Sequence, residues 1–337
     1  MGTPVNRQVI LKSRPQGIPQ AEHFAIVETP VGSPEVGEIL VRNLYLSVEP
    51  AMRGWVSDVG NYAEPVAIGA VMRAITVGRV EQSNDARYRP GDCVTGMFGW
   101  QDYALVAGDA VERKVDSALP ISTALGVLGI NGITAYFAML EVGQPRAGDT
   151  VVVSTAAGSV GSCAGQIANI HGARTVGIAG GTEKVRQCVE EFGYAAAVDY
   201  KSAEFAAALD VACPNGIDVY YDNTAGAISD AVYQRLNVGA RVVVCGTASV
   251  ANWNPPPQGP RIERVILTKR VRMQGFVVFD HKARYGEALA QLEQWVRTGD
   301  IRYREDILDG IEAAPDAIAG LYRGENLGKR LIRLADA

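Results

Sequence analysis

Residues 149–181 read DTVVVSTAAGSVGSCAGQIANIHGARTVGIAGG, and the fold turns on this stretch. Thr150 to Ser154 is a short apolar, β-branched run. Gly158 to Gly161 makes a tight turn, after which small and apolar residues recur at helical spacing through Ile170, and Arg174 to Ala179 is a second strand candidate. Strand, glycine turn, helix and strand in that order predict a βαβ unit. The turn is A-x-G-x-x-G, with Ala156 in place of the usual first glycine. Gly158 lets the backbone approach a pyrophosphate, Ser159 and Val160 open a helix whose free N–H groups attract the anion, and Gly161 lets helix pack on strand. In a chain with 37 glycines a triplet alone says little, and an ordinary strand-to-helix turn is the other reading. The flanking strands and helix favour dinucleotide binding.

The end of the second strand bears on which dinucleotide. An NAD enzyme usually carries Asp or Glu there to hold the ribose 2′-hydroxyl. This chain has Ala179-Gly180-Gly181-Thr182-Glu183-Lys184. Two glycines leave room, Thr182 can donate a hydrogen bond and Lys184 brings positive charge, which together suit a 2′-phosphate and point to NADP. The alternative is that Thr182 only caps a helix and Lys184 is solvated in its first turn.

The 337 residues suggest about two domains. Hydrophobic residues make up 47% and charged ones 20%, and the net charge is −5, so nothing electrostatic draws the chain to nucleic acid or an anionic membrane. The N-terminus lacks the apolar core of a signal peptide and no run approaches a membrane span. A cytoplasmic location is expected. Cys93, Cys163, Cys188, Cys213 and Cys245 are irregularly spaced, and His23, His171 and His281 lie far from one another, so a zinc site is not expected. No G-x-S-x-G elbow is present.

Val5 to about Ala110 reads as all-β, with strands at Val5–Leu11, Glu22–Glu28, Glu38–Val48 and Gly78–Gln82, and further strand texture from Gly91 to Gly96 and from Gln101 to Val106. A small bent sheet or partial barrel is expected. Glu49 to Tyr62 lacks alternation and suits a loop at a ligand cleft. Helical texture begins near Ile121. From Asp149 strands and helices alternate, with strands at Ala196–Tyr200, Ile217–Asp222, Ala240–Cys245 and Val271–Phe279, and helices at Thr182–Phe192, Ala203–Ala212, Ala227–Leu236 and Tyr285–Thr298. This alternation predicts an α/β class, with a doubly wound parallel Rossmann sheet. The tail from Asp300 returns to strand texture and ends on Lys329–Leu334.

The T-A-A-G-S-V-G turn, G-I-A-G-G-T-E-K at residues 177–184, Val198-Asp199-Tyr200-Lys201, Tyr221-Asp222-Asn223, Val244-Cys245-Gly246 and Gly324-Glu325-Asn326-Leu327-Gly328-Lys329 together resemble the zinc-independent medium-chain reductases. Within them the chain is most similar to the double-bond reductases, the group of prostaglandin, alkenal and curcumin reductases. Zinc-dependent relatives carry G-H-E after the cleft loop, whereas Ile68-Gly69-Ala70-Val71-Met72-Arg73 has neither His nor Glu. The resemblance implies a GroES-like substrate domain over 1–127 and 300–337, a dinucleotide domain over 128–299, and NADPH in the cleft. It places Gly158 to Gly161 at the pyrophosphate and Lys184 and Tyr200 at the 2′-phosphate. It puts Asn223, Cys245 and Gly246 along the dinucleotide, Phe276, Val277 and Val278 at the nicotinamide, and Asn326 as a contact from the tail. An apolar strand run such as 276–278 can equally be core. It also implies a homodimer paired through edge strands, for which Val271–Phe279 is the apolar candidate.

With no metal site and no evident base, the chemistry expected is hydride addition to the β-carbon of an α,β-unsaturated ketone or aldehyde, with hydrogen bonding to the enolate and protonation of the α-carbon. The family's cleft loop usually reads D-P-Y-M-R, and here it is Glu49-Pro50-Ala51-Met52-Arg53. Ala51 in place of the tyrosine implies a wider pocket or a different aromatic ceiling. Tyr62, at the far end of the same stretch, is the nearest replacement hydroxyl, with a loop-packing ring as the alternative. Arg53 is a substrate or cofactor contact or a solvated cation. A quinone reductase of the same superfamily and a non-enzymatic nucleotide-binding module are the rival functions.

Overall fold

The computed structural model describes residues 5–58, 63–115, 118–250, 255 and 257–336. The chain divides into two compact units, residues 1–125 with 305–337, and residues 126–304.

The first unit is β-rich. Strands β1 (Val5–Leu11) and β2 (Phe24–Pro30) form an antiparallel pair. A larger sheet has the order β14-β15-β3-β4-β5-β7, with β6 also paired to β3. Its strands are β3 (Glu38–Ser47), β4 (Thr76–Ser83), β5 (Cys93–Gly96), β6 (Tyr103–Ala107), β7 (Val111–Lys114), β14 (Glu305–Asp309) and β15 (Lys329–Arg333). The C-terminal segment thus completes a sheet begun by the first hundred residues. Val9, Leu46, Met52, Trp100, Ile318 and Ile332 are buried together beneath it. Glu49–Tyr62 is not wholly loop, since Met52–Trp55 forms a one-turn helix, α1, which puts Met52 and Trp55 into that core. A helix the strand texture did not suggest, α9 (Ala314–Arg323), packs Ala317 and Ile318 on the same core.

The second unit is a six-stranded parallel sheet in the order β10-β9-β8-β11-β12-β13. The strands are β8 (Thr150–Ser154), β9 (Arg174–Ala179), β10 (Ala196–Asp199), β11 (Ile217–Asp222), β12 (Leu236–Val244) and β13 (Arg272–Gly275). Around them run α2 (Ile130–Phe137), α3 (Ser159–Ile170), α4 (Thr182–Glu190), α5 (Phe205–Ala212), α6 (Gly226–Tyr233), α7 (Glu263–Lys269) and α8 (Tyr285–Thr298). In chain order this is 3-2-1-4-5-6, a doubly wound sheet whose direction reverses between β8 and β11. Ligands of such sheets bind outside the carboxyl ends of the strands at that reversal.

Several expected boundaries move, two of them with an evident cause. The sixth strand ends at Gly275 rather than Phe279, because Phe276 turns its ring inward onto His281 and the chain enters a 3₁₀ turn at Val278–Arg284. The helix expected over 227–236 stops at Tyr233, and Leu236 already pairs with Ile217 in the sheet.

Glycines set how closely α3 approaches the sheet. A Cβ on Gly161 would collide with the Thr155 carbonyl oxygen, and one on Gly165 would collide with the Tyr194 ring, whose hydroxyl donates to Gly161 O at 2.7 Å. Gly165→Ala therefore forces α3 or the buried ring to move. An overpacked core site costs about 1–3 kcal/mol, and in a domain of this size the melting temperature should fall by about 2–10 °C. A calorimetric scan showing no loss would contradict this packing.

Candidate active site

The reversal point is built from the ends of β8, β11 and β12. Asp222 closes β11 and is fully buried. Its carboxylate accepts from Thr224 N at 2.9 Å, Ala225 N at 2.8 Å, Ser229 Oγ at 2.7 Å and Tyr220 Oη at 3.1 Å. Its backbone carbonyl accepts from Cys245 N at 2.8 Å and Gly246 N at 3.0 Å. The next residue, Asn223, donates its backbone N–H to Ser154 Oγ at 2.8 Å and its side-chain amide to Ser154 O at 2.7 Å. Asn223, Cys245 and Gly246 are thereby gathered beside the end of β8. A Cβ at Gly246 would come 2.9 Å from Asn223 O, so only glycine allows this approach.

The glycine turn starts at the same end. Thr155 has φ +54 and Ala225 φ +58, a left-handed conformation uncommon for a side chain and costly for β-branched threonine. Both residues border the reversal. Thr155 O accepts from Gly158 N at 2.9 Å, which closes the turn. Gly158 is the N-cap of α3 and no side chain caps that end. Among the described residues, the first-turn N–H groups of Ser159, Val160 and Gly161 therefore have no side-chain acceptor, and the positive end of the helix dipole faces an anion site. Ser159 and Val160 are half-buried.

At the end of β9, Gly180 lies under the Tyr200 ring. A Cβ there would stand 2.8 Å from Tyr200 Cε1 and 3.1 Å from Lys201 Cε. Tyr200 is 42% exposed, so its ring forms part of the surface above the two glycines. The nearby acid, Asp199, is turned onto the backbone and accepts from Gly181 N and Lys201 N, both at 2.9 Å. One oxygen of the Asp199 carboxylate is thereby engaged with the turn's backbone. The N-cap of α4 is Gly181, with Thr182 one residue inside the helix and Lys184 half-buried in its first turn. The capping role open to Thr182 is thus not the one it has. Lys201 was absent from the expected set. Its signal was the V-D-Y-K run, in which it follows Tyr200 directly.

Phe276 N donates to Val244 O at 3.0 Å, extending the β12–β13 pairing by one residue. The Phe276 ring is buried and stacks on His281, with centroids 5.1 Å apart, and His281 stacks in turn on Phe137 at 4.8 Å. Val278 is buried and Val277 exposed. Of these three residues, Val277 is the one with an exposed side chain.

In the first unit, Ala51 is half-buried on the core. The Arg53 guanidinium lies 4.9 Å from the centre of the Tyr322 ring, whose hydroxyl donates to Pro50 O at 3.1 Å. Tyr322 was not anticipated, since nothing local in the sequence links it to residues 50–53. Asn326 donates its amide to Gly328 O at 2.7 Å. Tyr62 lies outside the described residues, as do residues 251–254 and 256 of the proline-rich segment. Among the described residues, no three His, Cys, Asp or Glu side chains come together to hold a metal ion.

Two family models match this chain, an N-terminal domain of oxidoreductase over residues 7–114 and a zinc-binding dehydrogenase over residues 159–294. The NADPH-dependent curcumin reductase of Escherichia coli is 44% identical across 98% of this chain and 97% of its own length. The NADP(+)-dependent 2-alkenal reductase of Nicotiana tabacum is 37% identical across 98% of each. Among solved structures, CurA from Vibrio vulnificus in complex with NADPH superposes with a TM-score of 0.93 at 44% identity, across 98% of this chain and all of that one.

The Cys245 thiol accepts from Tyr221 Oη at 3.4 Å, and burial pushes it up to about 11. Cys163 and Cys188 are pushed up to about 12 and Cys213 to about 11 by the same cause. The folded protein keeps these protons where the unfolded chain gives them up. The stability they contribute is complete below an ordinary thiol pKa of about 8.5 and is lost as pH rises through 11 to 12. The melting temperature should fall steadily above pH 9, and iodoacetamide should leave these four thiols unlabelled at pH 7.5. A flat melting profile to pH 11, or stoichiometric labelling of Cys245, would contradict this.

Proposed function

This chain belongs to the medium-chain dehydrogenase/reductase family, and from that membership and the site geometry we propose that it reduces the carbon–carbon double bond of α,β-unsaturated ketones and aldehydes with NADPH. The observation that carries the reading is the end-to-end likeness to the curcumin and 2-alkenal reductases, which leaves neither unit of the chain unmatched. The cofactor's shape is matched by the uncapped start of α3 at the sheet reversal and by two glycines, rather than an acid, at the end of β9.

In this reading residues 128–299 hold the dinucleotide, and residues 1–127 with 300–337 receive the substrate. Bound NADPH supplies the hydride. Gly158 to Gly161 hold the pyrophosphate with backbone N–H groups, and Lys184, Tyr200 and Lys201 hold the 2′-phosphate. Asn223, Cys245 and Gly246 flank the dinucleotide, Phe276 to Val278 border the nicotinamide with Val277 as the accessible side chain, and Asn326 contributes from the tail. Ala51 and Arg53 line the substrate pocket. The Asp222 oxygens are engaged by donors from the turn after β11, from α6 and from β11 itself. Cys245 holds its proton too firmly to yield it at neutral pH. The proton for the α-carbon is assigned to the Tyr62 hydroxyl or to water.

Purified protein should oxidise NADPH with a small enone and yield the saturated ketone. Lys184→Glu should weaken NADPH binding by removing a charge-assisted contact of about 1.5–3 kcal/mol, roughly 10- to 150-fold, with little effect on NADH. Turnover with a quinone and none with any enone would replace this reading with the quinone reductase. Tight NADPH binding without turnover of either would make the chain a binding module.

We further propose a cytoplasmic homodimer paired through β13. That strand is the sheet edge, and Arg272, Gln274 and Gly275 on it are exposed. Among the described residues, no helix is long and apolar enough to cross a membrane. Sedimentation at micromolar concentration should show a dimer, and a monomer alone would contradict the pairing.

A further inference from the structure

The first unit holds a buried ion pair between Lys329 and Glu49. Lys329 opens β15 with its side chain 4% exposed. An ammonium has three N–H donors, and three acceptors surround this one: Ser47 Oγ at 2.9 Å, Val48 O at 2.9 Å and Glu49 Oε1 at 2.6 Å. Ser47 Oγ donates in turn to the same carboxylate oxygen at 2.6 Å. Three consecutive residues, from the end of β3 into the Glu49–Arg53 loop, thus close on a single cation.

Such a pair adds little stability, because desolvating two charges offsets most of their attraction and a packed apolar pair would serve as well. Its effect is geometric, since a tetrahedral donor with three fixed acceptors admits one placement of the stem. Other bonds join the same two segments. Val48 N donates to Arg330 O at 3.3 Å, Tyr322 donates to Pro50 O, and Arg53 lies over the Tyr322 ring. Ala51 and Arg53 follow directly on the clamped stem, and Asn326 directly precedes Lys329. The other charged group facing Lys329 is Glu305, its register partner across β14 and β15, whose carboxyl burial pushes up.

We propose that Lys329 is a positioning residue for the substrate end of the reductase site, its ammonium locking the Ser47–Glu49 stem so that Ala51 and Arg53 keep a fixed register with the Asn326 tail. The proposal rests on the assignment of those three residues to the site.

The test compares the parent with Lys329→Met, which strands the Glu49 carboxylate, and with Glu49→Gln/Lys329→Met, which removes both charges. The double variant should recover most of the melting temperature lost by Lys329→Met, because the Glu49 carboxylate is no longer left as a buried charge without its cation. Its KM for a small enone should nevertheless stay at least about fivefold above the parent, with NADPH affinity within about twofold. Amide hydrogen exchange should speed up together in residues 49–58 and 322–328 and nowhere else in the first unit. If Lys329→Met does not fold, the double variant and Glu49→Gln carry the comparison. Recovery of KM along with melting temperature would reduce the pair to a structural contact and overturn the proposal. Unchanged exchange in either segment would also overturn it. A parent inert towards enones would refute the assigned activity instead, and the exchange data would then decide the clamp alone.

Discussion

The buried carboxylate of Asp222 is the constraint on which the reversal point depends. A fully desolvated carboxylate is tolerable only when its oxygens are satisfied, and here the partners come from the turn after β11, from α6 and from β11 itself. Meeting that need fixes where the chain goes next. Ala225, at positive φ, donates its N–H to Asp222, and Asn223 faces Ser154. Because the Asp222 carbonyl also takes Cys245 N and Gly246 N, the ends of β8, β11 and β12 form one connected surface. The uncapped start of α3 opens beside it.

At the other end of that surface, the turn after β10 is organised by an acid whose charge is turned onto the backbone. One carboxylate oxygen of Asp199 accepts from both Gly181 N and Lys201 N. By accepting them it shapes the turn over which the Tyr200 ring and the Lys201 side chain pass.

The parts of the fold that local pattern specifies were legible in advance. β8, β9 and β11 begin and end where their β-branched runs do, and the alternation of strand and helix leaves few topologies besides the doubly wound sheet. The sixth strand was overread because an apolar run looks alike whether it pairs in a sheet or tucks its rings inward. The partner that decided it, His281, lies a turn away. α9 escaped notice because its short Ala-rich face gains its meaning from packing on the first-unit core. Motif spacing marked Gly158 to Gly161, and the family resemblance marked Asn223 and Gly246, which the chain does bring together at one end of the sheet. Lys329 with Glu49, and Arg53 with Tyr322, were not marked, because each pair joins opposite ends of the chain and only β15 against β3 brings them together.

The central claim is that this scaffold directs hydride to carbon–carbon rather than carbon–oxygen double bonds. The most direct test is turnover of a small enone with NADPH deuterated at nicotinamide C4 on the transferred face, followed by NMR of the product. One deuterium per molecule should stand on the former β-carbon of a saturated ketone. Deuterium on the carbonyl carbon of an allylic alcohol, or NADPH oxidation with none in the product, would contradict the account.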